Sequence, residues 1–361
     1  MKIGYYLSDL TLTGGTKVIN QHLQLLDELG YQAKLFVKNI QTQYPFHKRP
    51  IIISDTKEIA GQVDIIISTR LRDLKSCLKP QMPSPVMFYQ RHELNDLRTY
   101  YSEKAKRAKY ASLAGRFFLK TKSKLQKIGI EKYYNSKIIA WTPCHIVAHE
   151  FTNKYNKDYD FIRNTVNHSL FDSVSSTNKV HNSILSIGDY RLNLKNIARV
   201  FEAIKEIKKT TPIHFIRVSP TKIHPEEIKS GIVDEYYSQL NEKEMAILYG
   251  KTNIVVSPSL SEGFGMPALE GMAAGCLCVL SDIPAHNMFQ NLCKQTTGSY
   301  ALYFNPESTE ELTLSLQTAL KRDKCEKLIK NGKQISLEYT SELQKQDLLT
   351  ALNKIEKKGY K

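Results

Sequence analysis

Ser257-Pro258-Ser259-Leu260-Ser261-Glu262-Gly263-Phe264-Gly265-Met266-Pro267-Ala268-Leu269-Glu270-Gly271-Met272-Ala273-Ala274-Gly275 is the most informative stretch of this 361-residue chain. An apolar run ending at Ser257 leads into a loop with two glycines. Pro267 then stands where a helix begins, the position at which a missing N–H costs nothing. Free amides at such a helix start can receive a phosphate. Glu262 precedes the glycines and Glu270 lies one turn into the helix, so the two carboxylates can grip two parts of one ligand lying over the amides. The residues alone also allow a plain glycine-bearing turn with solvated glutamates.

Outward from this stretch the pattern is βα alternation. Strands are expected at 183–187, 213–218, 253–257 and 277–280, with helices at 194–208, 242–249 and 267–274, which makes a Rossmann-like domain over 180–340. The N-terminal half opens with a strand at 2–7, a turn ending in Gly14-Gly15, a helix at 16–29 that Thr16 could cap, and a strand at 33–37. The continuous apolar runs at 64–67, 85–89 and 137–141 suit inner strands of a parallel sheet. The Ser-, Asn- and Thr-rich stretch 172–182 is the expected linker. The last helix, 341–357, carries Leu343, Leu348, Leu349, Leu352 and Ile355 near one face. The first domain is therefore expected over 1–175, with 341–361 packing outside the second domain's core.

Length and composition suit two globular domains: 41% hydrophobic and 24% charged residues argue against disorder. No apolar run reaches the ~18 residues of a membrane span, and the first six residues lack a signal-peptide core, so a cytoplasmic location is expected. The six cysteines form no CxxC pair and no zinc-like spacing, which points to reduced, packed thiols. The net charge of +15 calls for an anionic partner.

The Glu-Gly-Phe-Gly-Met-Pro…Leu-Glu pattern, with its glutamates eight positions apart, resembles the E-x7-E signature of retaining glycosyltransferases of family four, which have the GT-B fold. The likeness extends through 242–249 upstream and through 279–284 and 301–306 downstream. It implies an α/β GT-B fold, two Rossmann-like domains facing across a cleft, and transfer of a sugar from a nucleotide-diphosphate donor to a glycan or lipid-linked acceptor. The resemblance assigns Glu262 to the sugar hydroxyls and Glu270 to the ribose. Gly263, Phe264 and Gly265 would lie along the sugar, and the amides near Met266 and Ala268 along the diphosphate. It also places an Arg/Lys phosphate clamp at Arg191 and Lys195, although the family often has arginine directly after the glycine, where this chain has Asp189. Gly14 and Gly15 would face the donor from the first domain. His92 is a candidate contact to donor sugar or acceptor, with a structural histidine at a strand end as the alternative.

Retention of configuration needs no protein nucleophile, and neither a metal nor another cofactor is expected. Asp158-Tyr159-Asp160 spells DxD but lies away from the donor motifs. Two rivals stay open: a non-catalytic peripheral membrane-binding protein on the same fold, and a sugar-nucleotide epimerase or hydrolase. The sequence does not reveal which base, sugar or acceptor is used.

Between Arg98 and Lys137 stand twelve Lys/Arg and two acids, interleaved with aromatic and aliphatic residues. That composition suits helices resting on an anionic membrane surface, here the inner face of the cell membrane, or a solvated basic helix pair. No nucleic-acid module accompanies the basic residues.

Overall fold

The computed structural model describes residues 1–42, 45–106, 110, 112–174, 179–293, 298–321 and 325–359. Positions 107–109 and 111 of the basic segment, 175–178 of the expected linker and 360–361 of the terminal segment lie outside the described residues. The chain divides into two units, Met1–Thr165 with Ser341–Lys361, and Val166–Thr340.

In the first unit the elements run β1 (Lys2–Leu10), α1 (Gly14–Glu28), β2 (Gln32–Ile40), β3 (Ile51–Ile52), β4 (Ile65–Ser68), α2 (Leu71–Cys77), β5 (Ser84–Phe88), α3 (Glu93–Ala105), α4 (Leu113–Tyr134), β6 (Ile139–Thr142), α5 (His145–Glu150) and β7 (Asp160–Phe161). The strands form one parallel sheet of order β3-β2-β1-β4-β5-β6-β7. Burial on both faces explains why the strands are continuous apolar runs rather than alternating ones. The order reverses between β1 and β4, the place where parallel α/β sheets open a crevice at their carboxyl ends.

The first helix begins two residues earlier than expected. Thr13, not Thr16, is its cap: the Thr13 hydroxyl accepts from the Thr16 amide while the Thr16 hydroxyl accepts from the Thr13 amide. Gly14 and Gly15 therefore sit in the first turn of α1 rather than in the loop before it.

The second unit runs α6 (His168–Val174), β8 (Ser183–Ile187), α7 (Ile197–Ile207), β9 (His214–Ser219), α8 (Pro225–Ser230), β10 (Glu235–Ser238), α9 (Glu242–Lys251), β11 (Ile254–Ser257), α10 (Met266–Ala273), β12 (Leu277–Ser281), α11 (Pro284–Asn287), β13 (Leu302–Phe304), α12 (Thr309–Leu320) and α13 (Glu326–Ser336). Its parallel sheet has the order β10-β9-β8-β11-β12-β13, again reversing next to the first strand of the unit. The core joins the apolar face of α7 to Ile184, Phe215, Ile254 and Val279 from four strands.

The stretch expected as linker is partly helical. Asp172 belongs to α6, whose Phe171 is buried and packs 5.8 Å from the Tyr249 ring. Residues 166–174 join the second unit because the Val166 amide donates to the Tyr339 carbonyl and the His168 ring bonds the Ser336 carbonyl. The chain then returns to the first unit as α14 (Ser341–Lys358). Leu348, Ala351, Leu352 and Ile355 recur at helical spacing and complete the core around β1 and α1. Arg163 fixes that helix through a forked contact to Asp347, 2.6 Å and 3.1 Å.

All six cysteines are buried and free, as the spacing predicts. Among the described residues no helix is long and apolar enough to cross a membrane. Asp160 of the DxD triplet pairs with Lys354 and opens β7.

Candidate active site

In the second unit, β8 and β11 are parallel neighbours on either side of the point where strand order reverses. The loops leaving their carboxyl ends must therefore meet above the sheet. They do so through backbone as well as side chains: the Leu260 amide donates to the Leu194 carbonyl at 2.8 Å, and Asn196 Nδ2 donates to Pro258 O at 3.1 Å. Asn196 holds a left-handed conformation, φ 52°, so the expected helix at 194–208 starts only at Ile197 and Lys195 stays on the loop.

That bend puts Lys195 Nζ 2.5 Å from Glu262 Oε1. Ser259 Oγ donates to the same oxygen at 2.6 Å. Burial alone would raise the Glu262 pKa, but the Lys195 ammonium and the Ser259 hydroxyl outweigh it and hold the carboxyl below its ordinary value. Glu262 is thus a carboxylate at neutral pH, and both bonds found to it among the described residues go to Oε1, which leaves Oε2 to accept a ligand hydroxyl.

The turn after Glu262 is shaped from below. Gly265 has φ +92°, and a Cβ there would meet His286 Cδ2 at 3.2 Å. His286 Nδ1 lies 2.9 Å from the Ser281 carbonyl, which can only accept, so Nδ1 carries the proton and Nε2 accepts from Ser257 Oγ at 3.2 Å. Burial lowers the pKa of this ring, partly offset by Glu262, and keeps it neutral. Substituting Gly265 by alanine is expected to cost about 1–3 kcal/mol, because the left-handed backbone penalises any Cβ and the neighbouring histidine is locked. A melting temperature unchanged in the Gly265→Ala chain contradicts this.

Gly265 also caps α10, and Pro267 occupies its first turn. Among the described residues nothing accepts from the amides of Gly263, Phe264, Gly265 and Met266. The Ala268 amide, expected along a diphosphate, instead donates to the Gly265 carbonyl at 3.0 Å, because the first turn of α10 is tightened. The Phe264 ring is not along the site either. It is buried against Phe289 and Tyr339 at 5.2 Å and 5.5 Å, so Phe264 offers only backbone. Glu270 accepts from the buried Tyr249 hydroxyl at 2.7 Å, which fixes its rotamer.

Arg191 does not join Lys195. Its amide and its Nε both donate to Asp189 Oδ1, at 3.0 Å and 3.1 Å, and its side chain is exposed. The acid that replaces arginine after Gly188 thus holds the next arginine on its own loop.

The first-unit candidates form a separate group. Gly15 accepts from Gln90 Nε2 at 3.1 Å, and a Cβ on Gly15 would lie 2.3 Å from Gln90 Oε1, so the α1 start and the loop after β5 are in contact. His92 is buried, caps α3 by accepting from the Asn95 amide at 2.9 Å, and faces Glu150 at 3.1 Å. Those contacts match the structural alternative for His92. Next to it, Glu93 is pushed up to about 7 by burial, against the Tyr134 hydroxyl that donates to it.

Tyr249, Ser259 and His286 support the site although none of them was a candidate residue. Tyr249 and Ser259 stand inside the stretches that carry the resemblance, and His286 stands just after the 279–284 stretch.

Residues 181–322 match the family model described as Glycosyl transferases group 1. That span lies within the second unit and is where the likeness to group 1 glycosyltransferases falls. Glu262, Glu270, Arg191 and Lys195 all fall inside the matched span. Among curated proteins, the O-antigen chain mannosyltransferase RfbU of Salmonella typhimurium is 36% identical over 96 residues, 26% of this chain and 23% of that protein. The MMP alpha-(1->4)-mannosyltransferase of Mycolicibacterium hassiacum is 28% identical over 172 residues, 45% of this chain and 40% of that protein. The aligned segments therefore span less than half the length of either relative. Among solved structures, Anabaena Alr3699/HepE in complex with UDP-glucose superposes with a TM-score of 0.68 at 12% identity, covering 98% of this chain and 100% of that one. The fold is that of the GT-B glycosyltransferases, two Rossmann-like α/β units, as the resemblance implies.

Proposed function

We propose that this chain is a retaining glycosyltransferase that moves a sugar from a nucleotide diphosphate to a glycan or lipid-linked acceptor in cell-surface polysaccharide synthesis. The observation that carries the proposal is the Lys195–Glu262 ion pair at the carboxyl ends of β8 and β11, beside unengaged amides at the start of α10. Positive charge for a departing diphosphate, an anionic acceptor for sugar hydroxyls and a second carboxylate one turn along are thereby gathered on one unit.

In this reading the glycosidic bond from the anomeric carbon to the diphosphate oxygen breaks, with the electron pair leaving on the diphosphate. The acceptor hydroxyl attacks from the same face and gives its proton to the departing phosphate oxygen, so configuration is retained. Lys195 and the Gly265 and Met266 amides stabilise the growing charge, which is usually the largest catalytic contribution. Lys195 has three donors and can hold a phosphate oxygen while keeping Glu262, which places the sugar subsite next to the phosphate subsite. Glu262 and Glu270 bind hydroxyls by charge-assisted hydrogen bonds, Glu262 on the sugar and Glu270 on the ribose. Arg191 adds a second cation if the diphosphate draws it from Asp189. The reading uses no metal. Similarity to two mannosyltransferases and to a structure holding UDP-glucose supports a nucleotide-activated hexose as donor.

Incubation with UDP-, GDP-, dTDP- and ADP-hexoses, with and without a lipid-linked glycan acceptor, tests this. Acceptor-dependent release of the nucleoside diphosphate with a new α-linkage is expected for an α-configured donor. Acceptor-independent release of free sugar or an isomer shows the hydrolase or epimerase instead, and binding with no turnover shows a non-catalytic protein.

A further inference from the structure

The helix α4 is held to the first unit by one side only. Leu119 and Tyr134 are buried, and Gln126 accepts from the Tyr101 hydroxyl of α3 at 3.0 Å. The opposite face carries Leu113, Phe117, Phe118, Leu125 and Ile128, which are exposed by 87%, 73%, 56%, 65% and 55%. At about 100° per residue these five fall within an arc of roughly 140°. Lys124 and Lys132 rise from the same arc, with Arg116, Lys120 and Lys127 along one margin and Lys122 along the other. Glu131 is the only acid in the helix, and it is occupied by Lys127, Lys154 and Tyr155.

We propose that the outer face of α4 docks on an anionic lipid surface, with the helix lying flat at the headgroup level and its five apolar side chains immersed. A large exposed apolar patch on a soluble surface marks an interaction site. The charge distribution says with what. Lysines both within and flanking the apolar arc have long methylene stems that reach outward to phosphates while the apolar groups dip below them. A second copy of this chain is disfavoured as occupant, because a two-fold interface would set these lysines against one another. On α3, Leu94 and Tyr101 are buried while Tyr100 is exposed beside Lys104, so the continuous apolar face is that of α4, 22 residues or about 33 Å long. It is independent of the donor site.

Co-sedimentation of the full chain with phosphatidylcholine vesicles, with and without phosphatidylglycerol, tests the proposal in the absence of any nucleotide sugar. Failure here leaves the transferase reading untouched. Binding should require phosphatidylglycerol and weaken with salt. The Phe117→Ser/Leu125→Ser/Ile128→Ser chain should lose at least about tenfold in partition coefficient, and Lys120→Glu/Lys122→Glu/Lys124→Glu/Lys127→Glu about 100-fold. Because the replaced side chains are exposed, circular dichroism melts should be unchanged. Unaltered vesicle binding by either variant overturns the proposal. So does a concentration-dependent dimer in sedimentation velocity that the serine variant abolishes, or binding of a single-stranded oligonucleotide in place of vesicles.

Discussion

Replacing Glu262 by glutamine is expected to leave the chain folded and to slow glycosyl transfer by on the order of 100- to 1000-fold. The amide preserves the side chain's shape and can still accept from Ser259 Oγ, now 2.6 Å away. It cannot hold the Lys195 ammonium by charge, so the cation that serves the diphosphate loses its anchor together with the charge-assisted bond to the sugar. Both losses act on the transferring group, so the rate should fall more than donor binding does. Steady-state rates with varied donor check this, alongside thermal denaturation to show that the fold persists. A Glu262→Gln chain within about threefold of the wild-type rate removes the residue from the mechanism.

The second large effect is on stability. Arg217 of β9 has no exposure, and its Nε donates to Glu227 Oε1 at 2.8 Å. Its two terminal nitrogens donate to the Ser186 and Gly188 carbonyls, Nη2 to Gly188 at 2.7 Å. The guanidinium thus fixes the end of β8 and the first residue of the loop that carries Arg191 and Lys195. Arg217→Met is expected to cost about 3–5 kcal/mol in urea denaturation, because Glu227 remains as an uncompensated buried charge. Arg217→Met/Glu227→Leu should recover most of this. It should stop short of full recovery by about 1 kcal/mol, since Glu227 also caps α8 by accepting from the His224 amide. In the recovered double variant the loop still lacks its anchor, so nucleotide-sugar binding should stay weaker than in the wild type. A single variant as stable as the parent contradicts the account of this pair.

The sequence showed the architecture clearly because parallel strands covered on both faces leave uninterrupted apolar runs, as in Ile65–Ser68 and Ile254–Ser257. Boundaries were less legible where a few side chains decide them. Thr13 and Thr16 cap each other reciprocally and draw Gly14 and Gly15 into α1, which spacing alone cannot distinguish from a glycine loop. Asn196 takes a left-handed turn that ends a local 3-10 segment and delays α7. The polar stretch before β8 reads as linker by composition, yet Phe171 supplies enough burial to make α6.

The candidate constellation was legible through the glutamate spacing, which puts Glu262 on the turn and Glu270 on the helix that follows. What spacing cannot reveal is which partners a charge finds across the fold. Lys195 meets Glu262 although 67 positions separate them, whereas Arg191 is captured by Asp189 two residues away. Arg217 acts through buried contacts that no local pattern marks. Phe264 lies inside the motif and still turns into the core. The basic segment shows the same limit: composition located the charge, but only the packing of Leu119 and Tyr134 determines which face of α4 is outward.

A nucleotide sugar is expected to lie on the α10 start with its two ends on Glu262 and Glu270. A crystal structure of the chain soaked with whichever of the four nucleotide hexoses raises its melting temperature tests it most directly. Diphosphate oxygens are expected at about 3 Å from the Met266 amide and Lys195 Nζ, with sugar hydroxyls on Glu262 and ribose hydroxyls on Glu270. A ligand bound elsewhere, with the α10 amides and both carboxylates untouched, contradicts it.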